Sequence, residues 1–187
     1  MARIKLAVFD MAGTTVDDHV DGVPLVLKCY DDAFKAHGVH VPMEVLNEQR
    51  GRDKWTVIRE LGGGKAEEIY SRFLSALNEN TGKVKEIQGA SETFRSLKKG
   101  GVKVVTGSGF PAEVAEAIVE HLGWIKGGLI DAWVCSEQVG ASRPDPAMIR
   151  YAMKKFGVKD PKAVVKVDDT KAGMFEGRNA GAWTVGV

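Results

Sequence analysis

The sequence predicts an α/β protein: a parallel sheet covered on both faces by helices, with a block of helices inserted after the first strand. Three observations carry this expectation. Short apolar runs that end in turn-prone polar groups recur along the chain. Stretches with helical periodicity separate them. One long segment, residues 18–88, breaks the alternation and reads as helical. Strands that alternate with helices must be joined by crossovers, which makes the sheet parallel and buries both its faces.

The first run, Ile4 to Phe9, ends at Asp10 and the turn Ala12-Gly13-Thr14. Val102 to Val105 ends at Thr106-Gly107-Ser108-Gly109, Ala132 to Cys135 ends near Ser136, and Val164 to Val167 ends at Asp168-Asp169-Thr170. Trp183 to Val187 is the last run. Pro111 to Leu122 puts Val114, Ile118 and Leu122 on one stripe after a helix-compatible proline. Asp145 can cap a further helix with Pro146 at its first position, leaving Ile149, Ala152, Met153 and Phe156 to face inward. Within the insertion, Val26, Cys29, Tyr30, Ala33 and Phe34 form one stripe, stopped by Gly38. Trp55, Ile58 and Leu61 form a second, ended by Gly62-Gly63-Gly64, and Ile69, Phe73, Leu74 and Leu77 a third. No strand is expected here. The stripe from Val26 to Phe34 can pack internally or form a dimer contact, so a homodimer through the insertion is one expectation. An insertion at this point lies over the carboxyl ends of the strands, where open α/β sheets bind ligands.

Composition narrows the function. With 187 residues, 44% hydrophobic and 27% charged, the chain can bury a sizeable core. A formal net charge of +1 offers no field for nucleic acid or an anionic membrane. Cys29 and Cys135 stand apart in apolar contexts and read as small buried hydrophobes rather than a disulfide or metal ligands. The start, MARIKLAVFD, is too short an apolar run for a signal peptide or a membrane span, so a cytoplasmic setting is expected.

The strand ends carry the chemistry. In a parallel sheet Asp10, Thr106, Ser108, Asp168 and Asp169 cluster although they are distant in sequence. A carboxylate can attack phosphorus and form an acyl phosphate, splitting one hard displacement into two easier ones. An anionic nucleophile meeting an anionic phosphoryl group needs cations nearby. Mg2+ on oxygen ligands serves, with Asp10, Asp169 and the backbone carbonyl of Ala12 as candidates. The hydroxyls of Thr106 or Ser108 and nearby amides would hold the non-bridging oxygens, and Arg143 would neutralise charge on the transferring group. Each feature alone has a bland reading, as a turn residue, a cap or a solvated charge. Their combination and order point to phosphoryl transfer.

The string from Val8 to Asp17, V-F-D-M-A-G-T-T-V-D, resembles the first motif of the haloacid dehalogenase superfamily. Its D-x-A-G-T-T form, with Ala12 where most phosphatases of that superfamily carry an acid–base Asp, is similar to phosphonoacetaldehyde hydrolases (phosphonatases). Thr106 to Phe110, Ser142 to Pro146 with Arg143 in place of the more usual Lys, and Lys166 to Thr170 followed by Glu176 to Gly181 resemble the later motifs. The resemblance implies a Rossmann-like three-layer α/β/α core, residues 1–17 and 89–187, with an inserted helical cap, residues 18–88. It implies a Mg2+-dependent hydrolase of a small phosphonate or phosphate. Asp10, Lys54 and Arg143 would be catalytic, Ala12, Gly13, Thr14, Thr106, Gly107, Ser108 and Arg143 would line the phosphate, and Asp10, Ala12, Asp169 and Asp168 would hold the metal.

Lys54 enters only through this resemblance. The family forms a Schiff base between a cap lysine and its aldehyde substrate, and Gly51-Arg52-Asp53-Lys54-Trp55 falls where that lysine is expected. Such a lysine must be partly neutral, through desolvation or a neighbouring cation such as Arg52. Two departures stand out. The family's Gly-Asp-Thr with a further Asp three places on is here Asp168-Asp169-Thr170 with Gly173, and Asp168 would have to compensate. The chain also stops at Val187, where relatives usually continue, either as a minimal member or as one lacking the end of its core. A phosphatase for a small phosphate ester, with His19, Asp17 or residues of the inserted lid replacing the missing acid, and a binding domain without catalysis are the alternatives.

Overall fold

The structure is a computed structural model and describes residues 3–187. Five strands form one wholly parallel sheet: β1 (Leu6–Asp10), β6 (Lys103–Ser108), β7 (Ala132–Cys135), β8 (Val164–Asp168) and β9 (Trp183–Gly186), in the order β7-β6-β1-β8-β9. The chain therefore winds outward from β1 in both directions, and the crevice between β1 and its two neighbours at their carboxyl ends is the topological switch point. Register brings Asp10 opposite Gly107 on one side and Phe9 opposite Val167 on the other.

Side-chain alternation sorts β1 between two layers. Leu6 and Val8 enter a cluster with Val105, Val134 and the buried face of α8 (Ala147–Lys155). Ala7 and Phe9 enter a larger one with α5 (Ala90–Lys99) and α6 (Ala112–His121). Phe94 anchors that side edge-on between Phe9 and Trp124, at centroid distances of 5.2 and 5.3 Å. Such pairs are worth about 0.5–1.5 kcal/mol beyond their burial. Helix α9 (Lys171–Asn179) closes over β8 and β9, and lies so near that a Cβ on Gly177 would come within 2.9 Å of the Lys166 side chain.

The segment after β1 holds α1 (Leu25–Ala36), α2 (Met43–Glu48), α3 (Lys54–Gly62) and α4 (Ala66–Asn78). The α1 stripe turns inward against α4, with Tyr30 stacked on Phe73 at 4.6 Å, so the internal-packing alternative is the one observed. Gly38, at φ 69°, ends α1 as expected. The expectation of no strand here is corrected. Short strands β2 (Val16–Asp17) and β5 (Lys85–Glu86) pair antiparallel across the two connections, and β3 (His19–Val20) with β4 (Val23–Pro24) makes a small hairpin. Its Asp21-Gly22 turn has φ of 55° and 79°, the geometry that an Asp-Gly hairpin favours. Pro146 caps α8 rather than opening it, while the Asp145 carboxylate accepts from the Ala147 amide at 2.9 Å. Helix α7 (Ser136–Val139) is a single turn after β7. No helix among the described residues is long and apolar enough to cross a membrane.

Candidate active site

Asp10 closes β1 with its side chain buried at the sheet's carboxyl edge, and Thr15 donates to its backbone carbonyl at 2.7 Å. Arg143 reaches across from the loop before α8 and holds three partners at once. Its Nη1 donates to Asp10 Oδ1 at 2.7 Å, Nη2 to the Gly107 carbonyl at 2.9 Å, and Nε to Glu176 Oε2 at 3.0 Å. A planar guanidinium can satisfy such a set; an ammonium cannot. Burial pushes the Asp10 carboxyl up to about 6, against the opposing pull of Arg143.

Asp10, Asp168 and Asp169 each bring an oxygen within 4.8 Å of the others. Asp168 accepts from the Thr170 amide and hydroxyl on one oxygen and leaves the other, Oδ2, buried without a hydrogen-bond partner, near Lys166 Nζ at 3.0 Å. Asp169 accepts from Thr14 at 3.0 Å and from Arg50 at 2.8 Å. Three carboxylates offering hard oxygen donors within one cluster suit a small divalent cation. The departure at Gly173 now has a physical account. A Cβ built on Gly173 would fall on the Asp168 carboxylate. The side chain on the strand fills the space beside the helix, and Gly173 leaves it room.

The loop before α3 brings Lys54 to this cluster. Two glycines permit the approach: a Cβ on Gly109 would lie 2.7 Å from the Arg52 carbonyl, and one on Gly51, at φ 80°, would lie 2.5 Å from the Thr170 hydroxyl. Asp53 caps α3 by accepting from the Thr56 amide at 2.8 Å. Lys54, the first residue of that helix, is 5% exposed, donates to the Arg52 carbonyl at 2.9 Å and sits over the Phe110 ring at 5.7 Å. Burial lowers its ammonium to about 8, with Arg143 adding to the effect and Asp10 opposing it. The positive end of α3 works in the same direction. Arg52 is not the cation responsible, because its guanidinium turns away to Gln49 and Glu60.

A narrow cavity of about 20 Å³ joins these groups, lined among others by Asp10, Ala12, Lys54, Ser108, Arg143 and Thr170. Of the expected hydroxyls, Ser108 lines it. Thr106 does not; it lies inside β6, fully buried, with its hydroxyl unpartnered. Gly13 is required by its φ of 85° and by Asp169, whose Oδ2 lies 2.5 Å from where its Cβ would be. Thr14 reaches Asp169, and Gly107 offers its carbonyl to Arg143. Four participants were not among the expected site residues, although Lys166 and Glu176 lie within the motifs that carry the resemblance. Arg50 and Asp18 line the cavity, while Lys166 and Glu176, both fully buried, form an ion pair at 3.2 Å behind Arg143.

The fold and this cluster of strand-end carboxylates define a class. The family model of haloacid dehalogenase-like hydrolases matches residues 4–181, and the chain belongs to that family as a hydrolase. Its relatives narrow the field. It is 35% identical, over a 204-residue alignment covering 99% of this chain and 72% of the relative, to a phosphonoacetaldehyde hydrolase of Bordetella pertussis. A phosphonoacetaldehyde hydrolase of Pseudomonas fluorescens is 32% identical over 98% of this chain and 72% of its own. Among solved structures, a phosphonoacetaldehyde hydrolase-like protein from Oleispira antarctica superposes with a TM-score of 0.86 at 25% identity, covering 100% of this chain and 73% of that one.

Proposed function

We propose that this hydrolase cleaves the carbon–phosphorus bond of a small phosphonate aldehyde of the phosphonoacetaldehyde type. The observation that carries the reading is one cavity holding a buried carboxylate, Asp10, and a buried lysine, Lys54, whose ammonium is lowered to about 8. A phosphate ester needs the first group only. A carbanion is too poor a leaving group to depart unaided, and the second group removes that obstacle.

Residues 18–88 act as a cap over a core made of residues 1–17 and 89–187. Neutral Lys54 attacks the aldehyde carbon and, with loss of water, forms a protonated imine. Asp10 attacks phosphorus, and the C–P bonding pair flows into the iminium to leave an enamine on Lys54. Water then releases phosphate from the Asp10 acyl phosphate, and the enamine takes up a proton and is hydrolysed to the aldehyde. Arg143, Ser108, the backbone from Ala12 to Thr14 and Gly107 hold the phosphonate oxygens. Asp10, Asp169, Asp168 and the Ala12 carbonyl would hold Mg2+, which when bound neutralises nucleophile and substrate and orients them. The cavity has room for about one water as it stands, so the cap must open to admit substrate. The test compares phosphonoacetaldehyde with a panel of phosphate monoesters in Mg2+. Phosphate release from the phosphonate, abolished in Lys54→Arg, is the expected outcome. Turnover of monoesters that survives Lys54→Arg, without turnover of the phosphonate, overturns the reading.

A further inference from the structure

Imine formation moves protons as well as electrons, and Ala12 stands where related phosphatases keep their acid. The titratable side chains lining the cavity are Asp10, Asp18, Arg50, Lys54 and Arg143. Asp10 is engaged by Arg143, the arginines do not give up protons, and Lys54 is the nucleophile. Asp18 remains. It is 2% exposed, and its Oδ1 is buried with no hydrogen-bond partner among the described residues. Its two neighbours point the other way: His19 pairs with Asp17 at 2.9 Å, both side chains 52% exposed. Alternation along the extended segment thus turns Asp18 alone inward. A buried carboxylate oxygen without a partner is disfavoured and calls for an explanation, and here Asp18 lines the same narrow cavity as Lys54.

We propose that Asp18 is the acid–base group for imine chemistry on Lys54, a role that rests on the phosphonate-aldehyde reading above. As the Lys54 nitrogen bonds to the aldehyde carbon, the carbonyl π pair moves to oxygen, which takes the proton of the Asp18 carboxyl. The Asp18 carboxylate then accepts a proton from the new ammonium. It returns that proton to the hydroxyl, which leaves as water while the nitrogen lone pair forms the iminium. One aldehyde, one amine and one proton become one iminium and one water. Burial raises the Asp18 carboxyl above its ordinary range, with Arg50, His19 and Lys54 opposing, which favours the protonated form that the first step uses.

The experiment measures the rate at which borohydride traps phosphonoacetaldehyde on Lys54 in wild type, Asp18→Asn and Asp18→Ala, each checked for an intact melting transition. Both variants are expected to trap at least about 100-fold more slowly, the scale of general acid–base assistance. Formate is expected to restore Asp18→Ala in proportion to its concentration. Asp18→Asn, nearly the same shape, serves if the alanine variant does not fold, and its pH profile is expected to lose the limb that the Asp18 proton gives the wild type. Trapping at the wild-type rate overturns the role of Asp18 while leaving the imine intact. Slow trapping with an unchanged pH profile and no formate rescue assigns Asp18 a structural role only and also overturns it. Absence of trapping in wild type removes the functional reading itself.

Discussion

At the scale of single residues, the site runs on charges that are buried but matched. Glu176 and Lys166 touch neither cavity nor solvent, yet they set the fork of Arg143 that holds Asp10. Removing one partner of a buried pair leaves the other uncompensated, at about 3–5 kcal/mol. Glu176→Ala is therefore expected to lower the melting temperature sharply, and Glu176→Gln, which can keep the bond to Arg143 Nε, to do so less; equal melting of both variants and wild type would contradict this. Lys54 carries the opposite sign. Its folded-state pKa of about 8 lies below the ordinary 10.5, so the fold pays a penalty for the charged form below about pH 8, and that penalty disappears as the pH rises toward 10.5. Lys54→Met is expected to be inactive but more stable than wild type at pH 7, the gap closing by pH 10.5 in a melting series. In Asp18→Asn, where only Lys54 has to lose a proton, the slower imine trapping should climb as the pH rises through about 8 and then level off.

At the scale of elements, strand ends decided what could be read in advance. Asp10 and Asp169 were legible because a short apolar run followed by Asp and a turn marks the mouth of a parallel sheet. The run Val102 to Val105 gave no such clear end. The strand continues through Thr106 to Ser108, so Thr106 is enclosed and only Ser108 reaches the cavity. Asp18 was hidden for a related reason, since two-residue strands are too short to reveal alternation. Arg50, Lys166 and Glu176 became functional only through contacts 33 to 119 residues away, or across a helix face, which no local pattern carries. The approach of α3 to the core is equally non-local and rests on Gly51 and Gly109. Gly109→Ala would drive a Cβ into the Arg52 carbonyl, a strain of about 1–3 kcal/mol. We expect it to cut imine trapping far more than it lowers stability, whereas a variant with wild-type trapping would show that the loop does not position Lys54.

At the scale of the whole molecule, charge around the cavity closes on itself. Asp10, Asp168, Asp169 and Glu176 are matched by Arg143, Lys166, Arg50 and Lys54, and Asp18 adds no charge in the protonated form that its proposed role starts from. A divalent cation and a dianionic phosphonate added together leave that balance unchanged, whereas either alone disturbs it. Mg2+ and inorganic phosphate are thus expected to raise the melting temperature more in combination than the sum of their separate effects; simple additivity would contradict this. The measurement closest to the central claim is the mass of the Lys54 peptide after borohydride treatment with phosphonoacetaldehyde and Mg2+. Wild type should carry an ethyl group on Lys54, left after phosphorus has gone to Asp10, and Asp10→Ala should carry the uncleaved phosphonoethyl group. An unmodified Lys54 in wild type that still releases phosphate would mean that the two residues do not act on the same substrate.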